Sequence, residues 1–279
     1  MKIITDTSSH FTVEEAKAAN VILIPLQIAL NNKNYRDYLD IDSESFIASI
    51  NNGTAHSSQP AVGEVMDAYE LTAGEETLHI TMAKGLSSTY DSACDIKNST
   101  AAEHVTVFNS HTLAGPQRYL VQLAVKMAEN AQSVKETIAR MQVCLQECQS
   151  FLIPIDFNFL KRGGRMTPMT ATIGGLLKIK PILTQTENGE RLEKFTIGRT
   201  WSGAISSVVE ELVAKGIDSR HKIYVSHAMN MEVAKSAVEA IAKRIQNADI
   251  EMLKLSPAMI TQGGPGCVAI QYILKDKEA

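Results

Sequence analysis

Residues 77–90 have the sequence TLHITMAKGLSSTY, in which an apolar strand leads through a glycine-containing turn into a helix. The residues that follow repeat this unit with another strand and another helix. Short apolar strands that alternate with longer helices are typical of a parallel sheet covered by helices. The predicted elements here are strand 77–82, helix 87–103, strand 104–108 and helix 113–129.

The residues before this segment show the same alternation. Thr12 and Glu15 have the spacing of a capping box, which predicts a helix that ends near residue 20. Asp42 is a candidate N-cap, and Pro60 is expected at the first position of a further helix. The first half is therefore predicted to be an α/β domain with a parallel sheet. Its other predicted elements are strand 3–6, strand 21–26, helix 42–50, helix 60–72 and helix 133–148.

The pattern changes near residue 150. Asn188-Gly189 lies between two strand-like segments and is the strongest short signal for a β-hairpin. The second half is predicted to be α+β with a mixed sheet, which divides the chain into domains 1–150 and 151–279. Its predicted elements are strand 151–155, a basic glycine loop 160–165, strands 178–185 and 191–197, helix 201–215, strand 222–226, helix 231–246, strand 250–255, a turn at 263–266 and strand 268–274.

The composition excludes several classes of partner. The 279 residues carry a formal net charge of −4, so no strong attraction to nucleic acid or to an anionic membrane is expected. No apolar run approaches the ~20 residues that span a bilayer, and the residues after Met1 lack the apolar core of a signal peptide. We expect a cytoplasmic protein without stable membrane insertion.

Common signatures of enzymes and metal sites are also missing from the sequence. It contains no G-x-S-x-G elbow, no G-x-x-x-x-G-K-[ST] loop and no G-x-G-x-x-G fingerprint. The four cysteines and seven histidines do not show the spacing of a zinc site. No catalytic residue, metal or cofactor is predicted.

Two hydroxyl-rich segments lie where ligands are often bound. Ser57 and Ser58 precede Pro60 and a predicted helix start, whose backbone N–H groups and dipole favour an anion. Lys84 and Ser87 follow a strand at the carboxyl edge of the predicted sheet, where open α/β sheets bind ligands. The alternative is that the hydroxyls only cap the following helices and that Lys84 is an ordinary surface residue.

Arginine and glycine mark two further segments. Arg162-Gly163-Gly164-Arg165 places two guanidinium groups around a turn, and guanidinium suits phosphate or carboxylate. A solvated basic loop is the alternative. Arg199 stands at a predicted helix start, where a cation opposes the dipole, which hints at a role. An enzyme of phosphoryl or acyl transfer built on Ser57, Lys84 and Arg165 is the alternative to a binding protein, and a regulatory or interaction protein is a third possibility.

The order of these motifs resembles the DegV family, and the resemblance covers essentially the whole chain. It implies a two-domain fold, with an N-terminal parallel-sheet α/β domain, a C-terminal α+β domain with a mixed sheet, and a lipid buried between them. It also implies that a short stretch around 61–75 packs with the second domain. The matching segments are Thr5-Asp6-Thr7-Ser8, Ser57-Ser58-Gln59-Pro60, Leu86-Ser87-Ser88-Thr89-Tyr90, Arg162-Gly163-Gly164-Arg165, Lys180-Pro181, Arg199, His227 and Gly264-Pro265-Gly266.

The resemblance implies a non-catalytic carrier that binds a long-chain fatty acid in a buried tunnel. The best-described members of the family present the acyl carboxylate to a separate fatty acid kinase, which makes acyl-phosphate for phospholipid synthesis. The fatty acid and the catalytic subunit of that kinase are therefore the expected partners, and no cofactor is expected besides the bound lipid.

The resemblance also assigns the residues that hold the carboxylate. Ser57 matches a family threonine that grips it, and Ser87 matches the serine that holds the other oxygen. Ser58, Lys84 and Gln262 complete the candidate set. Lys84 stands where the family often has serine and would supply an ion pair instead, and Gln262 stands near the position where the family often has histidine.

Two arginines are carried over to the mouth of the pocket. Arg165 and Arg199 match basic positions of the family that are expected to face the kinase or its phosphate.

Overall fold

The computed structural model describes residues 1–50, 55–171, 179–187 and 189–277 of the chain. The predicted hairpin residue Asn188 lies outside the described residues. The elements of the first half are β1 Lys2–Asp6, α1 Val13–Ala18, β2 Val21–Ile24, β3 Gln27–Leu30, β4 Lys33–Arg36, α2 Ser43–Ser49, β5 Ala55–Ser58, α3 Val62–Leu71, β6 Thr77–Thr81, α4 Thr89–Ser99, β7 Val105–Asn109, α5 Ala114–Glu129 and α6 Val134–Leu145.

The first half contains the predicted parallel sheet. Its strand order is β2-β1-β6-β7, and every pairing is parallel. Ile4, Leu78 and Ile80 are fully buried, because the helices that connect the strands cover both faces of the sheet. Thr12 and Glu15 form the predicted capping box at the start of α1.

A mixed sheet organises the second half, as predicted. Its strand order is β10-β9-β8-β13-β11-β12, in which β11 and β12 are parallel and the other pairs are antiparallel. β9 and β10 form the predicted hairpin, and Gly189 in its loop has a φ of 71°. The elements are β8 Cys148–Ile153, α7 Phe157–Gly163, α8 Pro168–Ala171, β9 Lys180–Gln185, β10 Leu192–Gly198, α9 Trp201–Ala214, β11 His221–His227, α10 Met231–Arg244, β12 Asp249–Lys254, α11 Pro257–Gly263 and β13 Val268–Leu274.

Helix α5 lies between the two sheets. It packs against β1 and β6 of the first sheet and against β11 and β13 of the second. Leu120 and Val121 are fully buried in a core that also contains Leu78 and Tyr224. Gly115 is required there, because a Cβ atom would lie 2.2 Å from the Tyr224 ring. The two halves therefore share one core around this helix.

The sequence did not predict a small antiparallel sheet with the strand order β4-β3-β5. Together with α2 it packs against α11 of the second half. The stretch around 61–75, which was expected to pack with the second domain, packs instead on β2 and α4 of its own half. The reason is that Val65, Ala68 and Tyr69 join the core of the first sheet.

The predicted basic glycine loop is also wrong, because Lys161, Arg162 and Gly163 belong to α7. The helix ends at Gly164, which has a φ of 70°. Glycine is favoured at this position, and basic residues in the last turn suit the helix dipole. The predicted turn at 263–266 is preceded by the unpredicted helix α11, whose N-cap is Ser256 and whose first residue is Pro257.

Asp37 joins the small sheet to α11. Its fully buried carboxylate accepts a hydrogen bond from the backbone N–H of Ala258 at 3.1 Å. Next to it, the buried Ser43 hydroxyl donates to the carbonyl of Leu255 at 2.7 Å. Burial raises the pKa of Asp37 to about 6, although the hydrogen bond from Ala258 opposes the rise.

Asp37→Asn is expected to change how stability depends on pH. The folded state binds the Asp37 proton more tightly than the unfolded state, whose ordinary pKa is 3.8. Relative to the variant, the wild-type protein therefore loses roughly 3 kcal/mol of stability as the pH rises from about 4 to above 6. Urea unfolding at several pH values measures this difference. Asp67→Asn, exposed on α3, is the control, and a pH-independent difference between Asp37→Asn and the wild type would contradict the prediction.

Candidate functional site

Two adjoining cavities lie where α11 meets the first half. The smaller one, called the polar nook, holds about 300 Å³ of empty space that is partly open to solvent. The larger one, called the apolar pocket, adjoins it and encloses about 750 Å³ of empty space, part of which is open to solvent. The nook is lined by Leu26, Ser57, Ser58, Met82, Leu86, Ser87, Arg165, Met259 and Gln262. The two cavities share Met82, Leu86, Arg165, Met259 and Gln262.

Most of the predicted head-group residues meet in the polar nook. Ser57 and Ser58 lie on β5, Ser87 lies in the loop before α4, and Gln262 lies on α11. Helix α3 begins only at Val62, after Ala61 as N-cap, so Ser57 and Ser58 do not cap it. The strand brings Ser57 next to α11, which the sequence did not reveal because neither β5 nor α11 was predicted.

A hydrogen-bond network surrounds the Ser57 hydroxyl. Its oxygen is 2.9 Å from Thr261 Oγ1 and accepts from Gln262 Nε2 at 3.2 Å. Thr261 Oγ1 donates to Ser57 and is also 2.7 Å from the carbonyl of Ala258, so its single proton serves one of these two acceptors at a time. Thr261 is thus a site residue that the sequence-based prediction missed. Its signal was present in the sequence, since it directly precedes the predicted Gln262.

Gly163 makes room for the Gln262 side chain. A Cβ atom at residue 163 would lie 2.0 Å from Gln262 Oε1. The glycine that was predicted to bend a basic loop therefore serves a different purpose. It lets the end of α7 approach α11 closely enough for the Gln262 amide to reach Ser57.

Ser87 contributes a further hydroxyl to the lining of the nook. Its hydroxyl is 2.8 Å from Thr89 Oγ1 and accepts from the backbone N–H of Thr89 at 3.3 Å. The hydroxyl thus stabilises the start of α4, as the capping alternative proposed, while it also lines the nook. The positive end of the α4 dipole lies beside it, which favours negative charge in the nook.

Arg165 supplies the positive charge of the nook. Its guanidinium donates to the carbonyl of Leu86 at 3.2 Å and to the carbonyl of Gly163. Both acceptors are neutral, and within the described part of the chain no carboxylate forms an ion pair with Arg165. Burial, and to a smaller extent Arg191, lowers the pKa of Arg165, but arginine still carries its charge at neutral pH. A half-buried cation without a counter-charge favours an anionic ligand.

The Thr5-Asp6-Thr7-Ser8 segment supports the nook without lining it. The buried Asp6 carboxylate accepts from the backbone N–H of Met82 at 3.1 Å, and Ser8 donates to its other oxygen. Burial raises the pKa of Asp6, while these hydrogen bonds oppose the rise. The Thr7 hydroxyl accepts from the N–H of Leu26 at 3.1 Å. Both held residues, Met82 and Leu26, are walls of the nook.

Lys84 does not take part in the nook, which corrects its prediction as a carboxylate ligand. Its side chain is exposed and forms an ion pair with Asp91 at 3.0 Å. Asp91 raises the pKa of Lys84. The residue lies in the loop before α4, but it lines neither cavity. The enzyme alternative required Ser57, Lys84 and Arg165 together, and the structure assembles only Ser57 and Arg165.

Arg199 is exposed and directly precedes Thr200, the N-cap of α9. It does not line either cavity.

Neither a metal site nor a membrane-spanning helix is found in the described residues. Their His, Cys, Asp and Glu side chains form no group of three that could hold a metal ion. None of their helices combines the length and the apolar composition that a bilayer crossing requires.

Comparisons with known proteins agree with this fold. A family model described as "Uncharacterised protein, DegV family" matches residues 1–275. A DegV domain-containing protein of Staphylococcus aureus is 30% identical over 279 residues, which covers 98% of both chains. The crystal structure of DegV, a fatty acid binding protein from Bacillus subtilis, superposes with a TM-score of 0.85 at 26% identity, covering 98% of this chain and 99% of that one. A DegV family protein from Eubacterium eligens loaded with heptadecanoic acid has a TM-score of 0.85 at 19% identity, covering 99% of this chain and 100% of that one.

Gly163→Ala is expected to push the Gln262 amide away from Ser57 while the fold persists. The added Cβ meets only the end of a flexible side chain, and alanine in a helix is about 1 kcal/mol more favourable than glycine. A crystal structure of the variant locates Gln262, and thermal unfolding measures stability. Gly63→Ala on α3, where a Cβ meets nothing within 4 Å, is the control. An unmoved Gln262 would contradict the steric argument.

Proposed function

The chain belongs to the DegV family, and on this premise we propose that it binds one long-chain fatty acid. The tail occupies the apolar pocket and the carboxylate occupies the polar nook. The observation that carries the proposal is the guanidinium of Arg165, which lines both cavities and has no carboxylate partner in the described residues. Relatives of the same fold, from Bacillus subtilis and Eubacterium eligens, are described as fatty acid binding or as loaded with heptadecanoic acid.

The tail supplies most of the binding free energy. Each buried methylene contributes about 0.8 kcal/mol, so roughly fourteen methylenes contribute about 11 kcal/mol. Association costs at least ~4 kcal/mol, which still leaves a large surplus. The walls that support this role are mainly aliphatic and include Leu113, Leu152, Leu183, Leu192 and Met259. Leucine and methionine suit a flexible chain, and methionine adapts to irregular shapes.

The head group needs charge and hydrogen bonds because an unpaired carboxylate is costly to bury. Arg165 would neutralise the charge, and Ser57, Ser87 and the Gln262 amide would donate hydrogen bonds. Because Thr261 Oγ1 donates to the Ser57 hydroxyl, the proton of that hydroxyl is left for the carboxylate.

We propose further that the chain is a non-catalytic cytoplasmic carrier, which presents the carboxylate to a separate kinase for acyl-phosphate formation. Ser58 supports this role, because it is exposed and yet lines the nook, so the nook reaches the surface. Arg199 is exposed as well and remains our candidate for contact with the kinase or its phosphate.

Native mass spectrometry of the chain purified from cells tests the binding function. We expect one co-purifying species with the mass of a fatty acid, because the buried tail dissociates slowly from an apolar pocket. Fragmentation of that species identifies its chain length and unsaturation. Turnover of ATP or of an ester by the pure chain alone would contradict a non-catalytic carrier, and absence of any lipid after incubation with fatty acids would contradict binding.

Arg165→Met is expected to weaken fatty acid binding at least tenfold, since a charge-assisted hydrogen bond contributes about 1.5–3 kcal/mol. Binding of a fatty alcohol with the same chain should change little, because its head carries no charge. Displacement of a fluorescent fatty acid measures both affinities. Arg199→Met and Lys84→Met remove exposed charges outside the nook and serve as controls. Equal losses for the acid and the alcohol would show that Arg165 does not recognise the carboxylate.

A further inference from the structure

The apolar pocket has a polar layer at one end. Adjacent strands of the second sheet turn the same face toward the pocket, as their register shows: Gln271 pairs with Ser150, and Ala269 pairs with Leu152. Leu183 continues the row of Leu152 on β9. The residues that this face contributes to the pocket lining are Ser150, Leu152, Leu183, Gln185, Ala269 and Gln271.

The polar layer is remote from the nook. Cys267, which precedes β13, lies against Gly263, where a Cβ atom would be 2.5 Å from its sulfur. Gly263 follows Gln262, so Cys267 marks the end of the pocket that adjoins the nook. Gln271 lies four residues further along the chain, which corresponds to about 13 Å at ~3.3 Å per residue. The pocket therefore extends from a charged end to a neutral polar end.

Hydrogen bonds fix Gln271 in position. It is 2% exposed, and its amide donates to Ser150 Oγ at 2.7 Å and to the carbonyl of Leu113 at 3.1 Å. Its carbonyl accepts from the N–H of Gly115 at 3.2 Å. These backbone partners belong to the start of α5, the helix shared by both halves. A tail that displaced Gln271 would leave buried polar groups without partners, which is unfavourable.

We propose that Gln271, held by Ser150 and the start of α5, is the floor of the apolar pocket and sets the longest acyl chain that the protein accepts. The inference rests on the proposed function and adds its specificity determinant. The aliphatic walls can adjust to a tail by rotamer changes, whereas the floor is locked by three hydrogen bonds. The ligand class is therefore a fatty acid whose methyl end stops at Gln271.

Two substitutions should shift the chain-length preference in opposite directions. Gln271→Ala removes the floor, and each further methylene that becomes buried should tighten binding about fourfold. Ala269→Val adds methyl groups to the wall above the floor, so the longest chains that the wild type binds should lose the most affinity. Ile270→Val is the matched control, since Ile270 is buried on the opposite face of the same strand.

The measurement is the affinity of each variant for saturated fatty acids of increasing chain length, by displacement of a fluorescent fatty acid. The inference predicts that the chain length bound most tightly is longer for Gln271→Ala, shorter for Ala269→Val and unchanged for Ile270→Val. If Gln271→Ala does not fold, the chain-length preference of Ala269→Val alone tests the inference. If the variants bind fatty acids with an unchanged preferred chain length, Gln271 does not limit the chain length, but the proposed function still stands. A wild type that binds no chain length would overturn both.

Discussion

The hydrogen bond between the buried Asp37 carboxylate and the N–H of Ala258 is the contact on which the site depends. It holds the start of α11 against the small sheet β4-β3-β5. Ser57 lies on the edge strand β5 of that sheet, and Gln262 lies near the end of that helix, where its amide donates to Ser57 at 3.2 Å. A buried carboxyl is expensive even when it is hydrogen-bonded, and the raised pKa of Asp37 reflects that cost.

A second constraint comes from α5, which is buried between the two sheets. Because Leu113 and Gly115 at its start hold Gln271, the shared helix defines one end of the apolar pocket. Asp6, at the end of β1, holds Met82 at the other end, where the pocket joins the nook. The cavity therefore lies between elements that cannot separate without exposing the core. A ligand has to fit the space that this core leaves.

Sequence periodicity was sufficient to predict the two large sheets. It was not sufficient to predict the small sheet β4-β3-β5 and helix α11, which join the two halves of the chain. The strands of the parallel sheet are apolar and their helices are long, so the alternation is unambiguous. β3, β4 and β5 have four residues each and partly polar faces, and such short strands carry little signal. α11 has seven residues, yet Ser256-Pro257 is a typical helix start that could have revealed it. The expectation for the stretch 61–75 came from the family resemblance, and helix α3 in this stretch packs on β2 and α4 of its own half.

For the site, sequence reasoning identified most of the residues but not which of their side chains line the cavity. Ser57, Ser87, Arg165 and Gln262 come from four separate segments, and the order of motifs was enough to group them. Whether Lys84 turns inward depends on a partner, and Asp91, seven residues later, draws its ammonium to the surface. Arg165 has no such partner in the described residues, so its charge is left for the cavity. The cation that we propose for an anionic ligand is thus the one that the described residues leave without a carboxylate, and this property becomes visible only when the neighbours of both side chains are known.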